Sequence, residues 1–209
     1  YNPVDRRSVR AIVRAKKSKI GILTGGVDVP GLNPAISAVK IRELREAHRV
    51  IVIRRGCGGL VDVINDKEPD NSGNVVELTE ELVNRAGRTG GTFLHSSRTR
   101  PSHLPKSMVP AHLKEKYQED VNDITEDIVK NLSFLGIDYL IPIGGDGTLS
   151  FGAHLHQNGV PVVAIPMTMD NDGPGPDYCI GFSTCVTRTI ELTRRLRTSA
   201  GADERVLVR

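Results

Sequence analysis

Aromatic residues, long apolar runs and excess charge are all scarce in this sequence of 209 residues. Only 4% of the residues are aromatic and tryptophan is absent, so few rings are available to stack on nucleic-acid bases. The formal net charge of +3 is too small to indicate a nucleic-acid partner. No apolar run approaches the roughly 20 residues that are needed to span a bilayer. The composition therefore argues against nucleic-acid binding and against a membrane segment.

Cysteine is also rare, with Cys57, Cys179 and Cys185 as the three examples. They show no metal-ligand spacing and leave an odd one over, which favours a reduced, cytoplasmic setting. Residues 1–18 form a basic N-terminal extension, read as solvated chain, with an organelle-targeting remnant as the alternative. Because the chain starts without Met and stops inside a strand-like stretch, we expect it to be part of a longer protein.

Against this background, the stretch Tyr139–Thr148 stands out as an apolar run that ends in a glycine-rich turn. The run predicts a buried strand, and a helix is expected from Ser150. Glycines at this point leave backbone N–H groups open to a phosphate at the start of the helix. Asp146 lies among them, where a carboxylate would hold Mg²⁺ that bridges to phosphate oxygens. The alternative is a plain turn in which Asp146 caps the helix.

The same order of strand, glycine turn and helix recurs along the chain. Lys19–Thr24 predicts a first strand, followed by a glycine turn over residues 25–33 and a helix. Arg49–Arg54 and Val160–Ile165 predict two further strands, with a glycine-rich turn at residues 55–59 between them. This alternation predicts an α/β fold: a doubly wound, mostly parallel sheet with helices on both faces.

A second set of polar residues is expected where another strand ends. The turn Pro166–Asp172 carries Asp170 and Asp172 next to a threonine, at the edge where open parallel sheets bind ligands. One of these carboxylates would serve as a base in phosphoryl transfer, while the alternative is an Asx-rich turn with capping duties. Arg98 follows a further glycine pair and would clamp phosphate oxygens, unless it is an ordinary surface arginine.

Five motifs, taken together and in order, resemble those of the 6-phosphofructokinases. They are residues 25–33 (GGVDVPGLN), 90–98 (GGTFLHSSR), 144–148 (GGDGT), 168–172 (TMDND) and 177–182 (DYCIGF). The resemblance runs from about residue 19 to residue 209. It implies a phosphofructokinase-like three-layer sandwich, in which residues 19–209 form the donor-binding domain and a second, sugar-phosphate domain follows.

The resemblance also implies an activity: transfer of a phosphoryl group to the 1-hydroxyl of fructose 6-phosphate, giving fructose 1,6-bisphosphate in glycolysis. It makes Asp170 the catalytic base, Thr168 and Asp172 its neighbours in the sugar-contacting turn, and Asp146 the Mg²⁺-associated carboxylate. Arg205 matches an arginine that reaches the sugar's 6-phosphate, and family members are commonly homo-oligomers, dimers or tetramers. The implied donor-side residues are Gly26, Val27, Arg98, Thr99, Gly145, Asp146, Gly147 and Thr148.

The residue after the metal-associated aspartate distinguishes the donors in this family. Glycine leaves room for the α-phosphate of ATP, whereas an aspartate excludes it and favours pyrophosphate. Gly147 therefore indicates ATP, and the uncharged Met167 offers nothing to hold pyrophosphate. The general style of the sequence is nearer to the pyrophosphate-type or mixed branch, so a pyrophosphate-dependent enzyme is the alternative.

Two departures from the family pattern bear on activity. Val27 stands where the family usually has a glycine whose N–H meets the donor's terminal phosphate, and a β-branched residue disfavours positive φ and close approach. Pro176 replaces the usual threonine before Asp177. A non-catalytic phosphate- or nucleotide-binding relative, or an inactive fragment, is therefore a further alternative.

Overall fold

A computed structural model describes residues 17–46, 48–66, 69–172 and 177–202. The strands are β1 Lys19–Gly25, β2 Arg49–Ile53, β3 Val75–Glu77, β4 Leu104–Pro105, β5 Val121–Asn122, β6 Tyr139–Gly144, β7 Ile165–Thr168 and β8 Ile180–Gly181. The helices are α1 Leu32–Arg45, α2 Gly56–Val61, α3 Glu80–Ala86, α4 Thr125–Phe134, α5 Asp146–Gln157 and α6 Phe182–Ala202. Short 3₁₀ turns occupy Pro101–His103, Lys106–Met108 and Ala111–Leu113.

Six strands form one sheet in the order β3-β2-β1-β6-β7-β8. Every neighbouring pair is parallel except β2 and β3, which run antiparallel. The jump from β1 to β6 in the centre places the end of β1 beside the end of β6, with Gly25 paired to Gly144. This arrangement confirms the predicted α/β fold with a mostly parallel sheet. It also brings the turns after β1, β6 and β7 to one edge of the sheet.

The core lies in two layers, one on each face of the sheet, because successive strand residues point to opposite faces. Ile22 belongs to the layer that packs under α1 and α3, whereas Leu23 belongs to the layer under α2, α4 and α5. Both side chains are buried. The result is three layers, helices–sheet–helices, as predicted. The described helices include none that is both long and apolar enough to cross a bilayer.

Two local predictions were wrong at the carboxyl edge of the sheet. Residues 56–61 form the helix α2, where a glycine-rich turn was expected at residues 55–59, although three of the first four helical residues are glycine. Arg55 before it adopts φ 57°, and Gly56 adopts φ 55°. Helix α5 begins at Asp146 rather than at Ser150, so the last three residues of the glycine-rich motif, 146–148, belong to the first turn of the helix.

The strand expected at Val160–Ile165 begins later than predicted. Val162 makes a single bridge to Leu140, and the regular strand β7 starts at Ile165. The preceding residues are largely exposed, with Val163 at 61%, so the apolar run does not mark a buried central strand there. Consequently Pro166 and Met167 are strand residues, and the acidic turn begins only after Thr168.

The ends of the chain carry predictions that fall outside the described residues. These are the basic extension, up to residue 16, and the last strand with Arg205. Helix α6 runs from Phe182 through Ala202, where the described residues end.

Candidate active site

A cleft of about 280 Å³ opens where β1, β6 and β7 end. The turns after these three strands line it together with the segment that precedes the first 3₁₀ turn. The lining residues are Gly26, Val27, Val29, Cys57, Ser97, Arg98, Thr99, Arg100, Gly145, Asp146, Gly147, Thr148, Met167, Thr168, Asp170 and Asp172. Every donor-side and acidic-turn residue singled out from the sequence therefore lies around one cavity, with Arg205 the exception because it lies outside the described residues.

The start of helix α5 forms the floor of this cleft. Gly145 is the N-cap residue and Asp146 the first helical residue, so the alternative in which Asp146 caps the helix is wrong. Among the described residues no side chain caps this N-terminus. The first N–H groups of a helix generally lack a carbonyl partner within it, although here the Thr148 N–H bonds to the carbonyl of the N-cap residue. The Asp146 side chain is exposed, with the Ser150 hydroxyl 3.4 Å away as a weak donor. This end of the helix offers positive potential beside one accessible carboxylate.

Thr148 contributes to the cleft by packing rather than by offering its hydroxyl. Its side chain is turned towards the paired glycines of β1 and β6, and the residue is 8% exposed. A Cβ at Gly25 would overlap Thr148 Oγ1, and a Cβ at Gly144 would lie 2.8 Å from the same atom. The Thr148 N–H donates to Gly145 O at 3.0 Å. The glycines therefore let α5 approach the strand ends closely, which fixes the position of Asp146.

Gly26 likewise serves the architecture of the cleft. It adopts φ 91°, a conformation that favours glycine. Its N–H donates to Ser97 O at 3.0 Å, and its carbonyl accepts from Ser96 Oγ at 2.9 Å. Ser97 Oγ in turn accepts the N–H of Gly58 at 3.1 Å. These bonds hold the segment containing Arg98 across the ends of β1 and α2.

Two arginines project from this segment into the cleft. Arg98 was identified from the sequence, and Thr99 next to it also lines the cavity. Arg100 was missed, although its spacing of two residues from Arg98 places both side chains on the same side of an extended segment. Its guanidinium would lie 3.4 Å from a Cβ on Gly147. Among the ion pairs of the described residues, none involves either arginine.

The two carboxylates in the acidic turn after β7 differ in their hydrogen-bond partners. The buried Thr168 donates its hydroxyl to Asp172 Oδ1 at 3.0 Å and accepts the Asp170 N–H at 3.2 Å. Asn171 adopts φ 55°, and its side chain accepts the Cys179 N–H at 2.8 Å, which pins the turn to the residues before β8. Within the described part of the chain, the exposed Asp170 carboxylate has no hydrogen-bond partner. The two carboxylates of this turn therefore differ in that, among the described residues, only Asp172 has a side-chain partner.

The charges around the cleft favour a phosphate together with a divalent cation. Two guanidiniums and the carboxylates of Asp146, Asp170 and Asp172 give a formal charge of −1, since three negative groups face two positive ones. One Mg²⁺ would change the sign to +1. The described residues contain no cluster of three or more His, Cys, Asp or Glu side chains that would hold a metal by themselves. A single accessible carboxylate fits Mg²⁺, which is commonly bound by one or two carboxylates plus substrate phosphates.

The backbone objection to Val27 was wrong, because the positive φ angles of residues 25–33 fall on Gly26 and Gly31 and not on Val27. The Val27 side chain packs partly against the core layer that contains Val29, and it also lines the cleft. Its bulk near the cavity remains as the objection. Cys57, which the sequence did not single out, lines the cleft as well, and burial raises the pKa of its thiol to about 12. A neutral thiol is a poor nucleophile, so Cys57 packs rather than reacts.

Comparison with known proteins agrees with this geometry. The sequence matches the phosphofructokinase family over residues 19–209. The chain belongs to this family. It is 37% identical over 192 residues to the ATP-dependent 6-phosphofructokinase of Aquifex aeolicus (strain VF5), covering 91% of this chain and 51% of the relative. It is 35% identical over 192 residues to the pyrophosphate–fructose 6-phosphate 1-phosphotransferase of Dictyoglomus thermophilum, covering 92% and 48%.

The chain thus spans about half the length of these two phosphofructokinase relatives. Among solved structures, it resembles the Pichia pastoris phosphofructokinase in the T-state, with a TM-score of 0.69 and 24% identity. That likeness covers 89% of this chain and 18% of the other. At this identity the comparison supports the phosphofructokinase fold alone.

Proposed function

We propose that the protein is a 6-phosphofructokinase that transfers a phosphoryl group from Mg-ATP to the 1-hydroxyl of fructose 6-phosphate. The observation that carries this proposal is the position of Asp146 and Asp170, which line the same cleft on turns that follow different strands. The Asp146 carboxylate lies beside the N-terminus of α5, which suits a phosphate, and the Asp170 carboxylate has no hydrogen-bond partner among the described residues. Phosphoryl transfer needs both: charge neutralisation at the donor and a base at the acceptor.

Asp170 is the proposed base. Its carboxylate accepts the proton of the 1-hydroxyl while that oxygen forms a bond to the γ-phosphorus and the bond to the bridging oxygen of ADP breaks. Thr168 is proposed to position the turn, since its hydroxyl bonds both to Asp172 and to the Asp170 backbone.

The donor phosphates are proposed to lie over the first turn of α5. The first N–H groups of α5 would face them there, and Arg98, which lines the same cleft, would contact them. Asp146 is the residue that would hold Mg²⁺, which would supply positive charge to offset the negative charge of the donor phosphates. Gly145 and Gly147 keep the approach to the backbone open. The structure favours a packing role for Gly26 and Thr148, so we assign them no direct phosphate contact.

ATP is the proposed donor, because Gly147 has no side chain to occupy the position of an α-phosphate. A pyrophosphate-dependent enzyme is the second candidate, and its support is the relative from Dictyoglomus thermophilum, which is named for pyrophosphate and is almost as similar as the ATP-dependent relative. The test is a donor assay of the full-length protein with fructose 6-phosphate, Mg²⁺ and either ATP or pyrophosphate. Fructose 1,6-bisphosphate formed with ATP supports the proposal, and turnover with pyrophosphate alone selects the second candidate.

Val27 motivates the remaining alternative, a relative that binds phosphate without catalysis. Val27 lines the cleft in the turn after β1, where its β-branched side chain is proposed to hinder close approach of a phosphate to the backbone. Val27→Gly removes this obstruction without placing a new group in the cavity. If neither donor supports turnover even in the full-length Val27→Gly variant, the kinase proposal is wrong. Turnover that appears only in this variant identifies a non-catalytic relative.

Residues 19–209 are proposed to be the donor-binding domain of a longer protein, with the sugar-phosphate contacts supplied mainly by a second domain. Arg205 is proposed to reach the 6-phosphate of the sugar. A homo-oligomer, dimer or tetramer, and a cytoplasmic location complete the proposal. Size-exclusion chromatography with light scattering on the full-length protein measures the oligomeric state directly.

A further inference from the structure

Arg100 is a cation in the cleft to which none of the roles above is assigned. Its guanidinium lies alongside the second residue of α5, with Nη2 and Nε at 3.4 Å and 3.5 Å from a Cβ on Gly147. The side chain is exposed, and no carboxylate of the described residues pairs with it. Its charge therefore reaches the start of α5 without being neutralised by a neighbouring side chain.

The backbone on both sides of Arg100 is held by long-range hydrogen bonds. Before it, the Ser97 carbonyl accepts an N–H from the turn after β1. After it, Pro101 is buried and its carbonyl accepts the Ile124 N–H at 2.9 Å, while the Arg100 carbonyl accepts the His103 N–H at 2.9 Å. Three residues between two such anchors leave little freedom to the chain. The base of the Arg100 side chain is thus placed before any ligand arrives, which lowers the entropic cost of a contact.

We propose that Arg100 is a specificity-determining residue that contacts the phosphate held beside Gly147, the α-phosphate of a nucleotide. The inference rests on the function proposed above. The α-phosphate proposed to lie beside Gly147 is present in ATP, which has three phosphates, and absent from pyrophosphate, which has two. Arg100 is the described cation that lies against that position, so its contact stabilises the nucleotide and not the shorter donor. Arg98, two residues earlier on the segment, is left to contact the phosphates that both donors share.

The test measures donor binding by isothermal titration calorimetry on the full-length protein, with Mg-ATP and magnesium pyrophosphate as separate titrants. The variants are Arg100→Gln, which removes the charge, and Arg100→Lys, which keeps it. Arg42→Gln on α1 is the matched control, because Arg42 is an exposed arginine outside the cleft whose partner is Glu46. A hydrogen bond to a charged group is worth enough that Arg100→Gln should weaken Mg-ATP binding about tenfold or more.

The result expected is weaker Mg-ATP binding in Arg100→Gln, partial recovery in Arg100→Lys, no change in Arg42→Gln, and no matching loss for pyrophosphate. Unchanged Mg-ATP binding in Arg100→Gln overturns the inference, and so does an equal loss for both donors. If Arg100→Gln lowers the Tm, Arg100→Lys is used instead, and the quantity compared with the wild type is the ratio of its affinity for Mg-ATP to its affinity for magnesium pyrophosphate. A wild-type protein that binds only pyrophosphate overturns the ATP assignment and this inference, and one that binds neither donor overturns the proposed function itself.

Discussion

The contact between Thr148 and the strand ends predicts a large effect from the smallest possible side chain at Gly25. In Gly25→Ala, the new Cβ overlaps Thr148 Oγ1 and lies 3.1 Å from Thr148 Cγ2 and 3.3 Å from its Cβ. Thr148 is buried in the first turn of α5, so it cannot turn away without moving the start of the helix. Overpacking of this kind costs about 1–3 kcal/mol.

Urea unfolding followed by circular dichroism measures this cost as a lower midpoint with an unchanged slope. Gly73→Ala is the matched control, because a Cβ at Gly73 has nothing within 4 Å. That variant should stay within about 0.5 kcal/mol of the wild type, as surface substitutions usually do. The same unfolding transition is read for both variants, so the difference between them isolates the contact.

A second substitution tests whether Thr148 is the cause. Thr148→Ala removes Oγ1 and Cγ2 and leaves only a Cβ near the alanine, so Gly25→Ala should cost less in that background than in the wild type. Directly contacting pairs show coupling of about 0.5–3 kcal/mol. Strictly additive effects, or a Gly25→Ala variant as stable as Gly73→Ala, would refute the packing explanation of this glycine and the fixed position of Asp146 that follows from it.

Three further perturbations have defined outcomes. Gly147→Asp places a carboxylate next to a guanidinium and in the space proposed for an α-phosphate, so ATP-dependent turnover of the full-length protein should be abolished, and unchanged ATP kinetics would refute the donor argument. Asn33→Ala removes a buried amide that accepts an N–H at 3.0 Å and donates to a hydroxyl at 2.9 Å, and calorimetric unfolding should show a loss of about 1–3 kcal/mol. Burial alone would raise the pKa of Asp127, but hydrogen bonds from Lys116 and Tyr117 hold this pKa below its ordinary 3.8. The ionised carboxylate therefore stabilises the fold above pH 3.8, and this stabilisation is lost as the pH falls through the lower pKa of the folded state. Asp127→Asn should therefore unfold more easily than the wild type at pH 6, and the gap should close in acid; a gap that is the same at pH 6 and pH 2 would contradict this.

The sequence predicted the central strands well, because continuous apolar runs such as residues 139–144 have few alternatives to a strand buried on both faces. It also predicted the glycine turns after β1 and β6, because glycines directly after an apolar run mark the end of a strand. Helix α2 was missed because glycine disfavours a helix in isolation, and here tertiary contacts override that preference. A Cβ at Gly59 would clash with the Arg54 carbonyl, so close packing requires glycine there. The same glycine makes a helix look unfavourable from the sequence.

The candidate site could be outlined from motifs but not resolved atom by atom. Sequence alone does not show that Thr148 points towards the sheet, or that the Gly26 N–H donates a hydrogen bond to the Ser97 carbonyl. Residue types alone do not separate Asp170 from Asp172 either; the family resemblance selects Asp170, and the folded turn shows that Asp172 has the Thr168 hydroxyl as a partner. Arg100 carried no pattern beyond its spacing from Arg98. Each of these distinctions depends on side-chain direction, which follows from packing rather than from residue type.

The most direct measurement of the central claim is the turnover of full-length Asp170→Ser with Mg-ATP and fructose 6-phosphate. Loss of a general base should lower kcat by about 10²–10⁴-fold, while the KM for the sugar stays close to that of the wild type, because the proton acceptor is removed and the cleft is kept. Circular dichroism confirms that the variant is folded. A folded Asp170→Ser enzyme that turns over at the wild-type rate would contradict the account.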